Sequence, residues 1–208
     1  LGSSTGVGRG DAFPVDYVYW DHAVKWCNAR SEREGLEPCY YTSPAKTEVW
    51  RAGSHIDLLE DWVKWDANGY RLPTEAQWEK AARGGLEGKR YPWGDTIDGT
   101  QANYSDSGDP WDNGTSPAGA LAPNAYGLYD MAGNIAEWCW DWYDPDWYAR
   151  PEASAADTRG PATGVFGRVT SRGGEWSCSP QERIDAPSYL RCSSRAGNWP
   201  YAAEWGHG

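Results

Sequence analysis

The segment YRLPTEAQWEKAARGG, residues 70–85, carries both the start and the stop signals of one helix. Thr74 is a good N-cap residue, and Gln77, three positions later, completes a capping box. Trp78 begins an apolar face at the spacing of an amphipathic helix. The two closing glycines tolerate the left-handed backbone at which helices end. The segment therefore predicts a helix over residues 74–83.

A second segment, YGLYDMAGNIAEWCWDWY at residues 126–143, combines acidic side chains with a glycine-containing turn. Asp130 and Glu137 lie on either side of Gly133. Calcium ions take carboxylates together with backbone carbonyls from irregular loops of this kind. The alternative is that these polar side chains only satisfy the backbone of their own turn. Hard oxygen ligands around a glycine favour a calcium site.

Together the two segments resemble the formylglycine-generating-enzyme (sulfatase-modifying factor) family, a variant of the C-type-lectin fold. Further family-like motifs follow in a fixed order: PVDYVYWDHAVKWCNARSEREGLEPCY at 14–40, YPWGD at 91–95, GTSPAG at 114–119, RVTSRGGEW at 168–176 and RCSSRAGNWP at 191–200. The resemblance implies an α+β fold with two helices, short antiparallel strands and extensive ordered loops. We expect a Gly/Ser-rich segment over 1–13 and the family domain over 14–208, with the family's closing strand absent.

Local patterns predict further elements. Helical spacing over residues 20–33 predicts a first helix that Gly35 ends. The alternation at 62–65 is typical of a short strand, and Asn68–Gly69 is the dipeptide of a type I′ turn. Two more stretches are expected to supply strands, residues 135–143 and 165–176.

Bulk properties restrict the possible functions. The chain has 208 residues and a formal net charge of −11, which fits one domain and argues against binding a nucleic-acid backbone. No apolar run reaches the roughly 20 residues that a membrane helix needs. The 15 tryptophans and 13 tyrosines suit protein interfaces and sugar or peptide grooves. The alternative is that most of the indoles replace Val and Leu in the core of a loop-rich fold.

The family resemblance implies two structural calcium sites. The first would use the side chains of Asp130 and Glu137 and the carbonyls of Gly133 and Ile135. The second would use the side chains of Asn103 and Asp109 and the carbonyls of Tyr104 and Trp111. Asp112 is a rival ligand, because one extra residue follows Trp111, and local Asx turns are the alternative use of the polar side chains. Such ions would order the loop-rich region over 86–123.

Five cysteines form an odd set. Cys27 and Cys39 flank the end of the first predicted helix and could pair, and Cys178 and Cys192 could pair across one loop. Cys139 would then remain as a buried, inert thiol. Disulfides of this kind suit an oxidising, extracytoplasmic compartment, which is the location we expect.

Copper chemistry is a test of the resemblance, because the family's oxidases hold Cu(I) between two cysteines, soft ligands that select this ion. Cys178, in GGEWSC, occupies the family's first position. No cysteine follows at the spacing of the second, where Pro187 falls when the chain is aligned on its last motif. One cysteine cannot build the two-thiolate site, so we expect copper to be absent and the chain not to be an enzyme. Cys178 is catalytic only under the alternative of a copper-dependent thiol oxidase.

The sequence therefore favours a non-catalytic binding or structural module that recognises a protein partner. The expected surface is aromatic and C-terminal, and it comprises Trp176, Tyr189, Trp199, Tyr201 and Trp205. Clustered exposed aromatics mark recognition sites. Two alternatives stay open: the copper-dependent oxidase of protein or small-molecule thiols, and a carbohydrate-binding lectin based on the aromatic content and calcium.

Overall fold

The computed structural model describes residues 7–8, 10–53, 58–111, 114–178 and 186–201. Helices α1 and α2 span Trp20–Arg33 and Glu75–Arg83, and a short α3 spans Ala186–Tyr189. The strands are β1 (Val7–Gly8), β2 (Val15–Asp16), β3 (Glu137–Trp142), β4 (Val169–Arg172) and β5 (Ala196–Asn198). Strands β1 and β2 form an antiparallel pair, and β3, β4 and β5 form an antiparallel sheet in that order. The expected α+β fold is thus confirmed.

Helix α2 forms as its capping signals predict. The backbone N–H of Gln77 donates to the Thr74 hydroxyl at 3.3 Å, and the Thr74 N–H donates to the Gln77 side chain at 3.1 Å. Gly84 ends the helix in the left-handed region at φ +56°. Trp78 is buried beneath it, so both the helix and its core-facing side followed from the sequence.

The core between helix α1 and the sheet is built from indoles. Trp140 on β3 lies 5.7 Å from Trp20, 5.9 Å from Tyr40 and 5.2 Å from Trp65, measured between ring centroids. The Trp20 indole N–H donates to the Cys139 carbonyl at 2.8 Å, and thereby fixes α1 against β3. Here tryptophans fill the core positions that Val and Leu often occupy, as the alternative interpretation of the composition stated.

A buried ionic network joins α2 to β4 and the chain before β5. Glu75 is fully buried and accepts two hydrogen bonds from the Arg195 guanidinium, at 2.6 and 2.8 Å. Arg172 on β4, also buried, lies 3.6 Å from Glu75 and pairs with Glu79. Because each buried charge has an opposite partner, removing one member would leave an uncompensated charge in the core.

Two local predictions were wrong. Residues 62–65 do not form a strand, because Glu60–Trp62 is a 3₁₀ turn and only Val63 bridges to Tyr40. Neither Asn68 nor Gly69 has the positive φ of a type I′ turn. Gly69 serves close packing instead, because a Cβ there would lie 2.1 Å from the Glu37 carbonyl oxygen.

Between α2 and β3 the described residues form no helix and no named strand. Side chains of asparagines make hydrogen bonds that hold this long loop in place. Asn124 donates from its amide to the carbonyls of Ala81 and Ala82 at the end of α2, at 2.7 and 3.1 Å. Its carbonyl oxygen accepts the backbone N–H groups of Tyr126 and Leu128. Within the described ranges, no helix is long and apolar enough to cross a membrane.

Candidate functional site

The first candidate cation site lies in the turn before strand β3. Asp130 and Asn134 adopt left-handed conformations at φ +56° and +62°, and Gly133 between them has φ +76°. Asp130 accepts the Gly119 N–H at 2.8 Å, which ties the turn to the preceding loop. Glu137, at the start of β3, accepts the Trp78 indole N–H at 2.5 Å. Two carboxylates and a tightly turned backbone are thereby brought together.

The electrostatics of this turn suit a cation. Burial raises the pKa of Glu137 to about 7, and the charge of nearby Asp130 adds to the rise, while the Trp78 hydrogen bond opposes it. Burial likewise raises the pKa of Asp130. No Lys or Arg of the described residues pairs with either carboxylate. Two close acids without a basic partner are destabilised as anions, and a bound divalent cation would reverse that cost.

The second candidate site centres on a buried amide. Asn103 is 1% exposed, and its carbonyl oxygen Oδ1 has no hydrogen-bond partner, although its amide nitrogen donates to Gly114 at 2.9 Å. An unsatisfied buried acceptor is costly, and a cation would satisfy it. Asp109 also forms the Asx turn that was the alternative, accepting from Trp111 N–H at 2.6 Å and from the Ser107 hydroxyl at 2.5 Å. Asp112, the rival ligand, lies outside the described residues.

The donor sets at both turns indicate the type of ion. In the part of the chain that the structure describes, no three His, Cys, Asp or Glu side chains cluster around one point. A site here must therefore include amide and backbone oxygens. All-oxygen sets on irregular loops suit calcium rather than zinc or copper. The oxygen-bearing residues present thus fit the implied calcium ions. Of the carbonyls that the resemblance implies as ligands, those of Tyr104 and Trp111 also accept turn hydrogen bonds, from the N–H groups of Ser107 and Gly114.

Cys27, Cys39, Cys139 and Cys192 are free thiols in the structure. Cys178 lies in a turn after β4 and is partly exposed, whereas the other four are buried. Cys192 is 0% exposed, packs with Trp78 and Cys139, and has a pKa that burial raises to about 11. Pro187 falls on α3. Whether Cys27 pairs with Cys39, or Cys178 with Cys192, stays a prediction.

The aromatic residues of the predicted partner surface separate into two groups. The rings of Trp199 and Tyr201 are in contact, with centroids 5.7 Å apart and planes tilted by 32°; Trp199 is partly buried and Tyr201 is 52% exposed. Trp176 and Tyr189 are both partly buried, and the Trp176 backbone N–H donates to the Asn134 carbonyl at 3.0 Å. Trp205 lies outside the described residues.

Two further residues near the aromatic surface, Phe166 and Arg168, were missed by sequence reasoning. Phe166 is 76% exposed at φ +56°. It precedes Gly167, where an added Cβ would lie 3.9 Å from the Trp199 ring, so Phe166 extends the aromatic surface. Arg168 lies over that ring at 5.5 Å. Phe166 stands in the sequence GVFGR between two glycines, and an apolar residue so flanked was the available signal.

Comparison with known proteins agrees with the fold. The family model for the sulfatase-modifying factor enzyme 1-like domain matches residues 3–208. A formylglycine-generating enzyme of Thermomonospora curvata is 48% identical over 122 residues, which cover 53% of this chain and 39% of that protein. The mouse inactive C-alpha-formylglycine-generating enzyme 2 is 35% identical over 90% of this chain and 67% of its own length. The solved structure of Treponema denticola variable protein 1 has a TM-score of 0.75 and 31% identity, covering all of this chain and 73% of that one.

The α+β fold and the match to the family model therefore define a sulfatase-modifying-factor type domain. The chain belongs to the family of sulfatase-modifying factor enzyme 1-like domains. It is similar both to an active enzyme and to a relative described as inactive. Family membership alone does not choose between these two functions.

Proposed function

We propose that this chain is a non-catalytic binding module whose fold is stabilised by calcium and whose aromatic C-terminal surface recognises a protein partner. The observation that carries the proposal is the burial of Cys192. A two-cysteine copper site needs two thiolates that can reach one ion. Cys192 is the cysteine that follows Cys178 in the chain, yet it is fully buried and its pKa is raised to about 11. Buried thiols with raised pKa values are inert.

The aromatic surface supplies the positive part of the proposal. Tyr201 is half-exposed and its ring contacts that of Trp199, and Phe166, which is 76% exposed, precedes Gly167 next to the Trp199 ring. Exposed aromatic clusters on soluble proteins mark interaction sites. Rigid aromatic rings also provide contact area at little cost in side-chain entropy. The pair directly follows β5, the edge strand of the three-stranded sheet.

Calcium has a structural role in this proposal. At the first site the ion would bind Asp130 and Glu137 together with the carbonyls of Gly133 and Ile135. At the second it would bind Asn103 and Asp109 together with two carbonyls, and it would satisfy the buried Asn103 oxygen. When bound, the ions supply positive charge that offsets the buried carboxylates. The protein's own part is to hold these oxygens on turns with left-handed backbone.

One observation favours a second candidate, a copper-dependent thiol oxidase. Cys178 is partly exposed and occupies the family's first catalytic position. The two functions are separated by incubating a Cys-X-Pro-X-Arg peptide with the protein, Cu(I) and oxygen, and by mass spectrometry of the peptide. The binding-module proposal expects the peptide to be unchanged. Conversion of its cysteine thiol to an aldehyde, lost in Cys178→Ser, would establish the oxidase instead.

Partner recognition is tested by site-specific photo-crosslinking in an extract of the source cells. A photoreactive phenylalanine analogue at Tyr201 should give a discrete crosslinked product with a protein. The matched control places the same analogue at Tyr126, which is 57% exposed on another loop. Equal products at both positions, or none at Tyr201, would count against the proposed surface.

A further inference from the structure

Asn134 connects three segments of the chain through one residue. Its backbone N–H donates to the Asn103 carbonyl at 2.8 Å, and its own carbonyl accepts the Trp176 N–H at 3.0 Å. Its side chain binds the backbone of Ser116 twice, accepting from N–H at 3.0 Å and donating to the carbonyl at 3.3 Å. Asn134 is 2% exposed, so these bonds are shielded from water.

Asn134 also stands between the two candidate cation sites. Its neighbours Gly133 and Ile135 are the proposed carbonyl ligands of the first site. Asn103, whose carbonyl it binds, carries the unpartnered side-chain oxygen of the second site. The approach is close: a Cβ on Gly133 would lie 2.2 Å from the Asn103 carbonyl oxygen. The turn at Gly133–Asn134 therefore packs directly on the backbone of Asn103, so a shift of one of these turns would displace the other.

The turn of the first site needs outside support. Asp130, Gly133 and Asn134 all have positive φ within five residues. Such a backbone is unfavourable for residues other than glycine, and it persists when its surroundings hold it. The hydrogen bonds from Asn134 to Asn103 and Ser116 provide that support from the loop of the second site.

We propose that Asn134 couples the two cation sites, so that calcium at either site raises the affinity of the other. The inference rests on the proposed calcium sites. An ion at the second site fixes Asn103, and the fixed Asn103 carbonyl holds the Asn134 backbone in the turn that presents Gly133 and Ile135. The turn that presents Gly133 and Ile135 is then already ordered when the other ion binds, so that ion does not have to provide the free energy of ordering it. Coupling of this kind is reciprocal by thermodynamic necessity.

The experiment is calcium titration of chelator-stripped protein by isothermal calorimetry, for wild type, Glu137→Gln, Asn134→Gly and the double variant. Glycine at position 134 keeps the positive φ and the backbone N–H that donates to Asn103. It removes the side-chain bonds to Ser116 and to Asp130, which hold that backbone contact in place, so the two turns are no longer fixed to each other. Wild type should bind two ions cooperatively. Glu137→Gln should bind one ion at the second site, at least about tenfold more weakly than wild type binds there. In the Asn134→Gly background, adding Glu137→Gln should not weaken the second site further.

Each outcome decides one of the two ideas. Two independent ions in wild type, with unchanged second-site affinity in Glu137→Gln, would overturn the coupling and leave the calcium sites in place. No calcium binding by wild type would reject the sites themselves and the coupling with them. Near-ultraviolet circular dichroism checks that each variant is folded. If Glu137→Gln does not fold, Asp130→Asn replaces it, because asparagine still accepts the Gly119 N–H.

Discussion

Asp141 accepts the backbone N–H of Glu75 at 2.7 Å, so a carboxyl group on strand β3 caps the first turn of helix α2. Asp141 is fully buried, and its other oxygen, Oδ1, has no hydrogen-bond partner. Burial raises the pKa of Asp141 from its ordinary 3.8 to about 7, and the negative charge of Glu75 adds to the rise. The Asp141 carboxyl group therefore joins β3 to α2, and ionising it in its buried position lowers the stability of the fold as the pH rises.

This cost predicts how stability changes with pH. The folded protein keeps the Asp141 proton up to about pH 7, whereas the unfolded chain releases it near 3.8. The contribution of Asp141 is thus fully present below that lower value and is lost as the pH rises through about 7. The free energy of unfolding of wild type minus that of Asp141→Asn should fall by up to about 1.4 kcal/mol per pH unit between these values.

Urea unfolding of both proteins across this pH range measures the difference directly. The pKa values of Asp130 and Glu137 are also raised, but both residues are common to the two proteins and cancel in the comparison. Parallel curves for the two proteins would mean that Asp141 does not carry this dependence.

Calcium should stabilise the fold. A ligand that binds only the native state adds about 2.7 kcal/mol at a concentration of 100 Kd. We expect the melting temperature of wild type to fall when EDTA is added and to recover with excess calcium. Glu137→Ala should lose most of this response. An unchanged melting temperature of wild type on addition of EDTA would contradict the prediction. The control is Lys89→Ala, an exposed substitution away from the sites, which should respond to EDTA as wild type does.

The parts of the fold that the sequence predicted depend on neighbours in the chain. Thr74 and Gln77 cap α2 through bonds three residues apart, which a reader of the sequence can see. Helix α1 begins differently, because no side chain caps it and the Trp20 N–H donates to the distant Pro200 carbonyl at 3.0 Å. Likewise, glycine is needed at position 69 because a side chain there would clash with the distant Glu37 carbonyl, and not because of a turn.

The candidate sites divide in the same way. Asp130 and Glu137 were predicted because they lie within one short segment of recognisable pattern. The role of Asn134 depends on carbonyl and N–H groups at positions 103, 116 and 176, which the sequence does not bring together. The burial of Cys192 likewise arises from packing in a cluster with residues distant in the chain, Trp78, Ala82, Met131 and Cys139.

Disulfides that form while the chain folds, before these cysteines are buried, should be present in the isolated protein. Cys27 and Cys39 lie in the same core cluster, and the charge of Cys39 adds to the burial that raises the pKa of Cys27 to about 12. Closing a loop of about 15 residues stabilises by about 3 kcal/mol in the chain-entropy model, the scale expected for a Cys178–Cys192 bond. Peptide mapping without reduction should recover both pairs. Alkylation of all five thiols after unfolding freshly isolated protein without reductant would reject them.

Truncating both Trp199 and Tyr201 to alanine should abolish partner binding and leave the melting temperature nearly unchanged. Tyr201 is 52% exposed, and Arg168 lies over the Trp199 ring at 5.5 Å, so the pair contributes more to the surface than to the core. Aromatic anchors of an interface are worth about 2 kcal/mol or more each on truncation. Partner retention on immobilised protein, measured beside thermal melting, separates the two effects.

The matched control is the double variant Tyr126→Ala, Tyr129→Ala, which removes two exposed tyrosines from another loop, 57% and 47% exposed. It should retain the partner. Phe166→Ala, beside the Trp199 and Tyr201 pair, should weaken retention by a smaller factor, because its ring is 76% exposed and extends the same surface. A large loss of melting temperature in the Trp199 and Tyr201 variant would instead assign the pair to the core. Equal retention by all of the variants would remove the aromatic surface from partner recognition.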